Sequence, residues 1–187
     1  MTEGEDGIAV ALDVDGTAIY NAGPVPLTLE CTDLQPILMS APHGEHVYIY
    51  VRPGLLEFIE TSFSLGIRLG IWTKAKAVWL DALFACGVFG KHAPKSFAFI
   101  HTRDDDCDQD STNKDARDIG LPTSTTLLID DNTHTFPNVA HIPRFDPSLG
   151  RFLVVPLTYL LPTIRRLATG KIDANEAATT VSCTYHR

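Results

Sequence analysis

Three short apolar runs punctuate the chain, and each ends on a polar tip. Ile8 to Leu12 reads Ile-Ala-Val-Ala-Leu and gives way to Asp13-Val-Asp-Gly-Thr17. Ile67 to Trp72 gives way to Thr73-Lys74, and Thr125 to Ile129 gives way to Asp130-Asp131-Asn132. Continuous apolar runs of this length predict strands buried on both faces, as in a parallel sheet. Between them the apolar period lengthens. Leu55, Phe58, Ile59 and Phe63 recur at helical spacing, with Pro53 placed in the first turn and Ser64-Leu65-Gly66 as the break. A second helix is expected from about Ala75 to Cys86, with Val78, Leu83 and Phe84 inward and Gly87 as its stop. A short one should run from Lys114 to Ile119. A last one, near Leu157 to Leu167, should kink or restart at Pro162.

Strands alternating with helices predict an α/β fold, a three-layer Rossmann-like parallel sheet with helices on both faces. Ligands of such sheets bind outside the carboxyl ends of the strands. One cleft should therefore gather Asp13, Asp15, Thr73, Asp130 and Asp131. The segment 18–50, with a strand at His46 to Val51, and the segment 91–113, with a strand at Phe97 to His101, are small insertions that leave little chain for a cap. The reading is one domain over 1–187, with a core of about 8–168 and a C-terminal tail over 169–187.

Composition narrows the function. Against 15 Lys and Arg stand 23 Asp and Glu, a formal charge of −8 in 187 residues. A sequence-independent nucleic-acid binder needs the opposite balance, so nucleic acid is an unlikely partner on electrostatic grounds. Cys31, Cys86, Cys107 and Cys183 show no regular spacing, which disfavours a disulfide framework. No secretory signal opens the chain, and the longest apolar stretch, Phe152 to Leu161, is too short to span a bilayer. A soluble, cytoplasmic protein without a membrane partner is expected, with the nucleus as the other intracellular option. The seven histidines have no zinc-ligand spacing and are expected on the surface or in the core. Trp72 and Trp79 are expected to pack. The run Asp104 to Asp110 reads as a solvated loop, and Arg52-Pro53-Gly54 as a strand-to-helix turn.

Carboxylates converging on one cleft repel one another, and a hard divalent cation such as Mg2+ is the simplest remedy. Such a cation commonly neutralises a phosphoryl group, and an aspartate can accept that group covalently. A carboxylate two residues on can protonate the leaving oxygen and then activate water. Thr73 can donate to a phosphate oxygen, and a lysine is still needed.

These motifs, in this order, resemble the haloacid dehalogenase (HAD) superfamily of aspartate-nucleophile phosphohydrolases. Tyr48-Ile-Tyr-Val-Arg-Pro-Gly-Leu-Leu-Glu-Phe58, Ile71-Trp-Thr-Lys74, Asn113-Lys-Asp115 and Leu127-Leu-Ile-Asp-Asp-Asn132 narrow the resemblance to the branch of the RNA polymerase II C-terminal-domain phosphatases. The first motif carries Gly16 and Ala18, the general superfamily form, where that branch has Glu and Leu. The resemblance implies Asp13 as nucleophile and Asp15 as general acid and base. It implies Mg2+ held by Asp13, the Asp15 backbone carbonyl and Asp130, with Asp131 assisting. Thr73 and Lys114 would grip the phosphoryl oxygens, with Lys95 as the alternative lysine. The implied activity is Mg2+-dependent phosphomonoester hydrolysis through an aspartyl-phosphate, on a phosphorylated Ser/Thr protein or another bulky substrate. A small-metabolite phosphatase and a non-catalytic phospho-binding scaffold remain as alternatives.

Overall fold

The computed structural model describes residues 7–29, 34–106, 113, 114, 116–149 and 154–185. Cys31, Cys107, Asp115 and the 107–110 part of the acidic run lie outside the described residues, as do Phe152 and Leu153.

Five parallel strands form the main sheet, in the order β6-β5-β1-β7-β8. They are β1 (Ala9–Leu12), β5 (Arg68–Trp72), β6 (Ile100–His101), β7 (Thr126–Asp130) and β8 (Val139–His141). The three strands expected from apolar runs are the three central ones. β1 lies between β5 and β7, with Leu12 level with Ile71 on one side and Ile129 on the other. All four residues of β1 are buried, which is why its sequence is apolar without alternation. The strand expected over Phe97 to His101 shrinks to Ile100–His101, because only those residues pair with β5.

The two faces of this sheet are packed differently. Val10, Leu12, Leu69, Ile71, Leu127 and Ile129 share the larger core with α1 (Leu55–Ser64), α2 (Ala77–Ala85), α4 (Leu161–Ala168) and α5 (Ala174–Tyr185). The opposite face presents Ala11, Trp72 and Leu128, covered by Phe136, Phe99, Val139 and Ile119 of the short helix α3 (Ala116–Ile119). Phe136 and His101 meet the Trp72 ring edge-on at 5.6 and 6.0 Å. A methyl group on Gly70 would come within 2.4 Å of the Phe99 ring, so the bare backbone there is what admits that ring.

Expectations need correction at Pro53, at Val78 and in the C-terminal tail, whereas the restart at Pro162 is as expected. Pro53 lies before the N-cap rather than in the first turn, because Gly54, at φ 79°, occupies the N-cap of α1. In α2 Leu80 and Leu83 are buried and Phe84 packs inward against Phe89 and Phe97, whereas Val78 is 54% exposed. Pro162 restarts the chain: a 3-10 turn over Leu157–Leu160 passes into α4 with the proline in its first turn. Residues 169–187, expected as a tail, carry α5. Its Ala177, Ala178 and Val181 are buried in the larger core, and its Ser182 hydroxyl accepts the His141 N–H at 3.1 Å.

The insertion after β1 forms a second, antiparallel sheet of β2 (Ile19–Asn21), β4 (His46–Val51) and β3 (Ile37–Ser40), in that order. Arg52 at its exit is 2% exposed, donates to the Pro143 carbonyl and lies 5.4 Å from the centre of the Phe145 ring. That side chain ties the small sheet to the segment after β8.

Candidate active site

The carboxyl ends of β5, β1 and β7 open onto a cavity of about 630 Å³ lined by Asp13, Asp15, Thr73, Lys114 and Asp130. Asp13 leaves β1 while still in the ladder, its N–H donating to the Ile129 carbonyl at 3.0 Å. The chain then turns sharply at Gly16, whose φ is 85°. Any Cβ on that residue would lie 2.6 Å from an Asp131 oxygen. Glycine is therefore required here twice over, by the backbone angle and by the carboxylate beside it. Thr17, fully buried, binds the two strand ends together. Its hydroxyl donates to Asp131 Oδ1 at 3.2 Å and accepts the Asp131 N–H at 2.9 Å.

Lys114 is the counter-charge. It enters from the loop before α3, is 1% exposed, and its Nζ donates to Asp13 Oδ1 and Asp130 Oδ2 at 2.6 Å each. Lys95 is exposed on a 3-10 turn over Pro94–Ser96 and does not line the cavity. Thr73 is buried at the end of β5, and its Oγ1 accepts the Ala75 N–H at 3.1 Å.

Two residues that the sequence did not single out belong to this cluster. His134 Nδ1 accepts the Lys114 backbone N–H at 3.2 Å, and its Nε2 lies 2.9 Å from Asp130 Oδ2. Asn132 donates its N–H to Asp130 Oδ1 at 2.8 Å and its amide to Asp131 Oδ1 at 3.2 Å. His134 thus departs from the expectation that every histidine is surface or core. Its spacing of four from Asp130 is the only signal the sequence offered. Trp79 also does more than pack, because it lines a second cavity together with Asp15 and pulls that carboxyl's pKa down against the larger effect of desolvation.

Burial separates the four carboxyl groups. It pushes Asp13 up to about 7, with Lys114 opposing and Asp130 reinforcing the rise. Desolvation by the cleft walls also raises Asp15, although its side chain reaches solvent, and burial raises Asp131, with Asp130 adding to it. At Asp130 burial is outweighed by His134 and Lys114, and its carboxyl falls to about 2. Lys114 has its ammonium stabilised by Asp13 and Asp130, which overcome the effect of burial and raise its pKa.

The donor set fits a hard cation. Oxygens of Asp13, Asp130 and Asp131 lie within 4.8 Å of one another, all three residues are buried, and Asp13 Oδ2 is buried with no hydrogen-bond partner.

The acidic run also departs from expectation at one described position, Asp106. Asp104 accepts the Ala77 N–H at the start of α2 at 2.7 Å. Asp105 accepts the N–H and hydroxyl of Thr102, both at 2.9 Å. Asp106 is buried between Lys74 at 2.8 Å and His101 at 3.0 Å. Asp104 and Asp106 thus brace the segment after Thr73; Asp104 and Asp105 are exposed, as a solvated loop would have them, whereas Asp106 is buried. Among the described residues, Cys86 and Cys183 are free thiols, and no helix is long and apolar enough to cross a membrane.

Residues 8–172 match the family model described as NLI interacting factor-like phosphatase. No curated protein matches the chain. Among the solved structures that share its fold are two of Fcp1. One is Fcp1, described as an essential RNA polymerase II CTD phosphatase, at 18% identity and a TM-score of 0.54, over 97% of this chain and 50% of that one. The other is a variant of the fission yeast RNA polymerase II CTD phosphatase Fcp1 bound to beryllium fluoride, at 17% identity and a TM-score of 0.55, over 97% and 52%. The chain thus spans about half the length of these proteins, and at such identity the likeness is one of fold. The family model, by contrast, takes in nearly every element described above. On that match, the chain belongs to the NLI interacting factor-like phosphatases of the HAD type.

Proposed function

We propose that this chain is one phosphatase domain that hydrolyses phosphomonoesters through a phosphorylated Asp13. The observation that carries this reading is the pairing at Asp13: one oxygen is held by Lys114, and the other is buried without a partner. A carboxylate so placed is oriented, and has a lone-pair-bearing oxygen to offer.

Asp13 attacks phosphorus, and the phosphoryl group passes to its carboxylate as the ester bond breaks. Asp15, its pKa raised by desolvation, carries the proton that the departing oxygen takes up. Asp15 then removes a proton from water, which attacks the phosphoaspartate and frees Asp13. Lys114 and Thr73 hold the phosphoryl oxygens, and His134 and Asn132 keep Asp130 oriented. Asp13, Asp130, Asp131 and the Asp15 carbonyl would hold Mg2+, which neutralises phosphoryl charge when bound.

The substrate we infer is a phosphorylated protein. The support is room: the main cavity shares Asp15, Ala75 and Arg103 with a second one of about 340 Å³, more space than a lone phosphomonoester needs. The test is turnover of p-nitrophenyl phosphate and of a panel of phosphopeptides and phosphorylated metabolites, with Mg2+ and with EDTA. Asp13→Asn should abolish all Mg2+-dependent release. Full activity in that variant overturns the mechanism, and preference for metabolites overturns the substrate class.

A further inference from the structure

The second cavity has a charge character that cleavage of one phosphate does not call on. It lies between the turn joining β3 to β4, which supplies Pro42 and His43, and the start of α2, which supplies Lys76, Val78 and Trp79. Arg103 forms the wall common to both cavities. Among the described residues the one acid lining this space is Asp15.

Arg103 is half-buried, and its Nε is buried with no hydrogen-bond partner. Its two acidic neighbours are engaged elsewhere: Asp104 caps α2 and Asp105 closes the Thr102 turn. Its backbone is fixed, since its N–H donates to the Ala75 carbonyl at 2.9 Å. A guanidinium whose Nε has no partner among the described residues is a receptor for a carboxylate or a phosphate. Lys76 adds a second positive charge, while Val78 and Trp79 offer apolar surface to the stem of a side chain. In a protein of net charge −8 such a site opposes the general field, so an anion gains here only by direct contact.

We propose that this cavity reads a second negative charge on the substrate, and that Arg103 is the specificity-determining residue. The substrate is then a phosphoprotein segment in which a residue close to the phosphorylated one carries a carboxylate or a second phosphate. This rests on the proposed function for the reacting phosphate only.

The test is equilibrium binding in EDTA, by fluorescence anisotropy, so that it needs no turnover. Three peptide sets share one phosphoserine, with Gln, Glu or a second phosphoserine at each of the two positions on either side. For at least one position the wild-type protein should prefer the Glu or doubly phosphorylated peptide to the Gln peptide by about tenfold. Arg103→Met should reduce that preference to below about twofold, and Arg103→Lys should leave it intermediate. Whichever anionic set shows the larger preference identifies the carboxylate or the phosphate as the group read. Equal binding of all three sets by the wild-type protein overturns the proposal, without recourse to any variant. So does a preference that survives Arg103→Met. Failure of turnover with this preference intact counts against the proposed hydrolysis and leaves the second site standing.

Discussion

Replacing Lys114 with Met removes a side chain that touches both Asp13 and Asp130 while nearly preserving volume. Two buried carboxyl groups are then left facing each other without their shared cation. Breaking a buried pair in this way costs about 3–5 kcal/mol. The lower end applies, because Asp13 already titrates near 7 and can relieve the repulsion by keeping its proton. At about 2–4 °C per kcal/mol for a chain of this size, the melting temperature in EDTA should fall by roughly 6–12 °C.

The pH dependence has a definite sign. In the wild-type protein Asp13 titrates above its ordinary value of 3.8, so its contribution is fully present below 3.8 and is lost as pH rises through about 7. Without Lys114 the folded carboxyl titrates higher still, and the loss continues above 7, where the wild-type curve has flattened. The gap between the two proteins should therefore widen by up to about 1.4 kcal/mol per pH unit beyond 7. Thermal unfolding followed by circular dichroism at pH 6, 7 and 8 reads this directly. Mg2+ should narrow the gap, since a divalent ion supplies the missing positive charge. Equal melting temperatures in EDTA at pH 8, or a gap that shrinks as pH rises, would refute the reasoning.

Two further substitutions test parts of the frame. Thr17→Val keeps the shape but leaves the buried Asp131 N–H and one of its carboxylate oxygens without the hydroxyl, so it should cost about 2–3 kcal/mol. An unchanged urea midpoint would show that the Thr17 contact carries no stability. Gly70→Ala should cost about 1–3 kcal/mol by overpacking against Phe99. The cost should largely vanish in a Phe99→Leu background, a coupling that a double-mutant cycle measures.

The three strand tips could be read from sequence because a strand buried on both faces must be apolar throughout, and β1, β5 and β7 are such strands. Asp13, Asp130 and Thr73 then follow from where those runs stop. Lys114 was harder to find, since it sits on a loop before a four-residue helix and no periodicity marks it. Its position came from resemblance, and the contact with two carboxylates came only with the fold. The contacts of Asp104 and Asp106 were missed for a common reason. Their partners lie far along the chain: Asp104 caps a residue 27 positions away, and Asp106 pairs with one 32 away. Charge in sequence suggests solvent unless the distant donor is known. Val78 was misplaced because α2 is only nine residues long and turns Leu80 and Leu83, not Val78, to the core.

The position of β1 also dictates when this protein can begin to work. Both neighbours of β1 come later in the chain, and Thr17 must wait for Asp131, 114 residues on. At ordinary synthesis rates, the first strand leaves the ribosome roughly 6–24 s before that latch can form. Ala9 to Leu12 has no strand partner until Arg68 to Trp72 emerge, and its other edge stays open until Thr126 to Asp130 follow. No earlier sub-assembly can hold the acidic cluster together, so a chain interrupted before Thr126 is exposed to aggregation rather than merely idle. Chaperone demand during synthesis is thus written into the strand order itself.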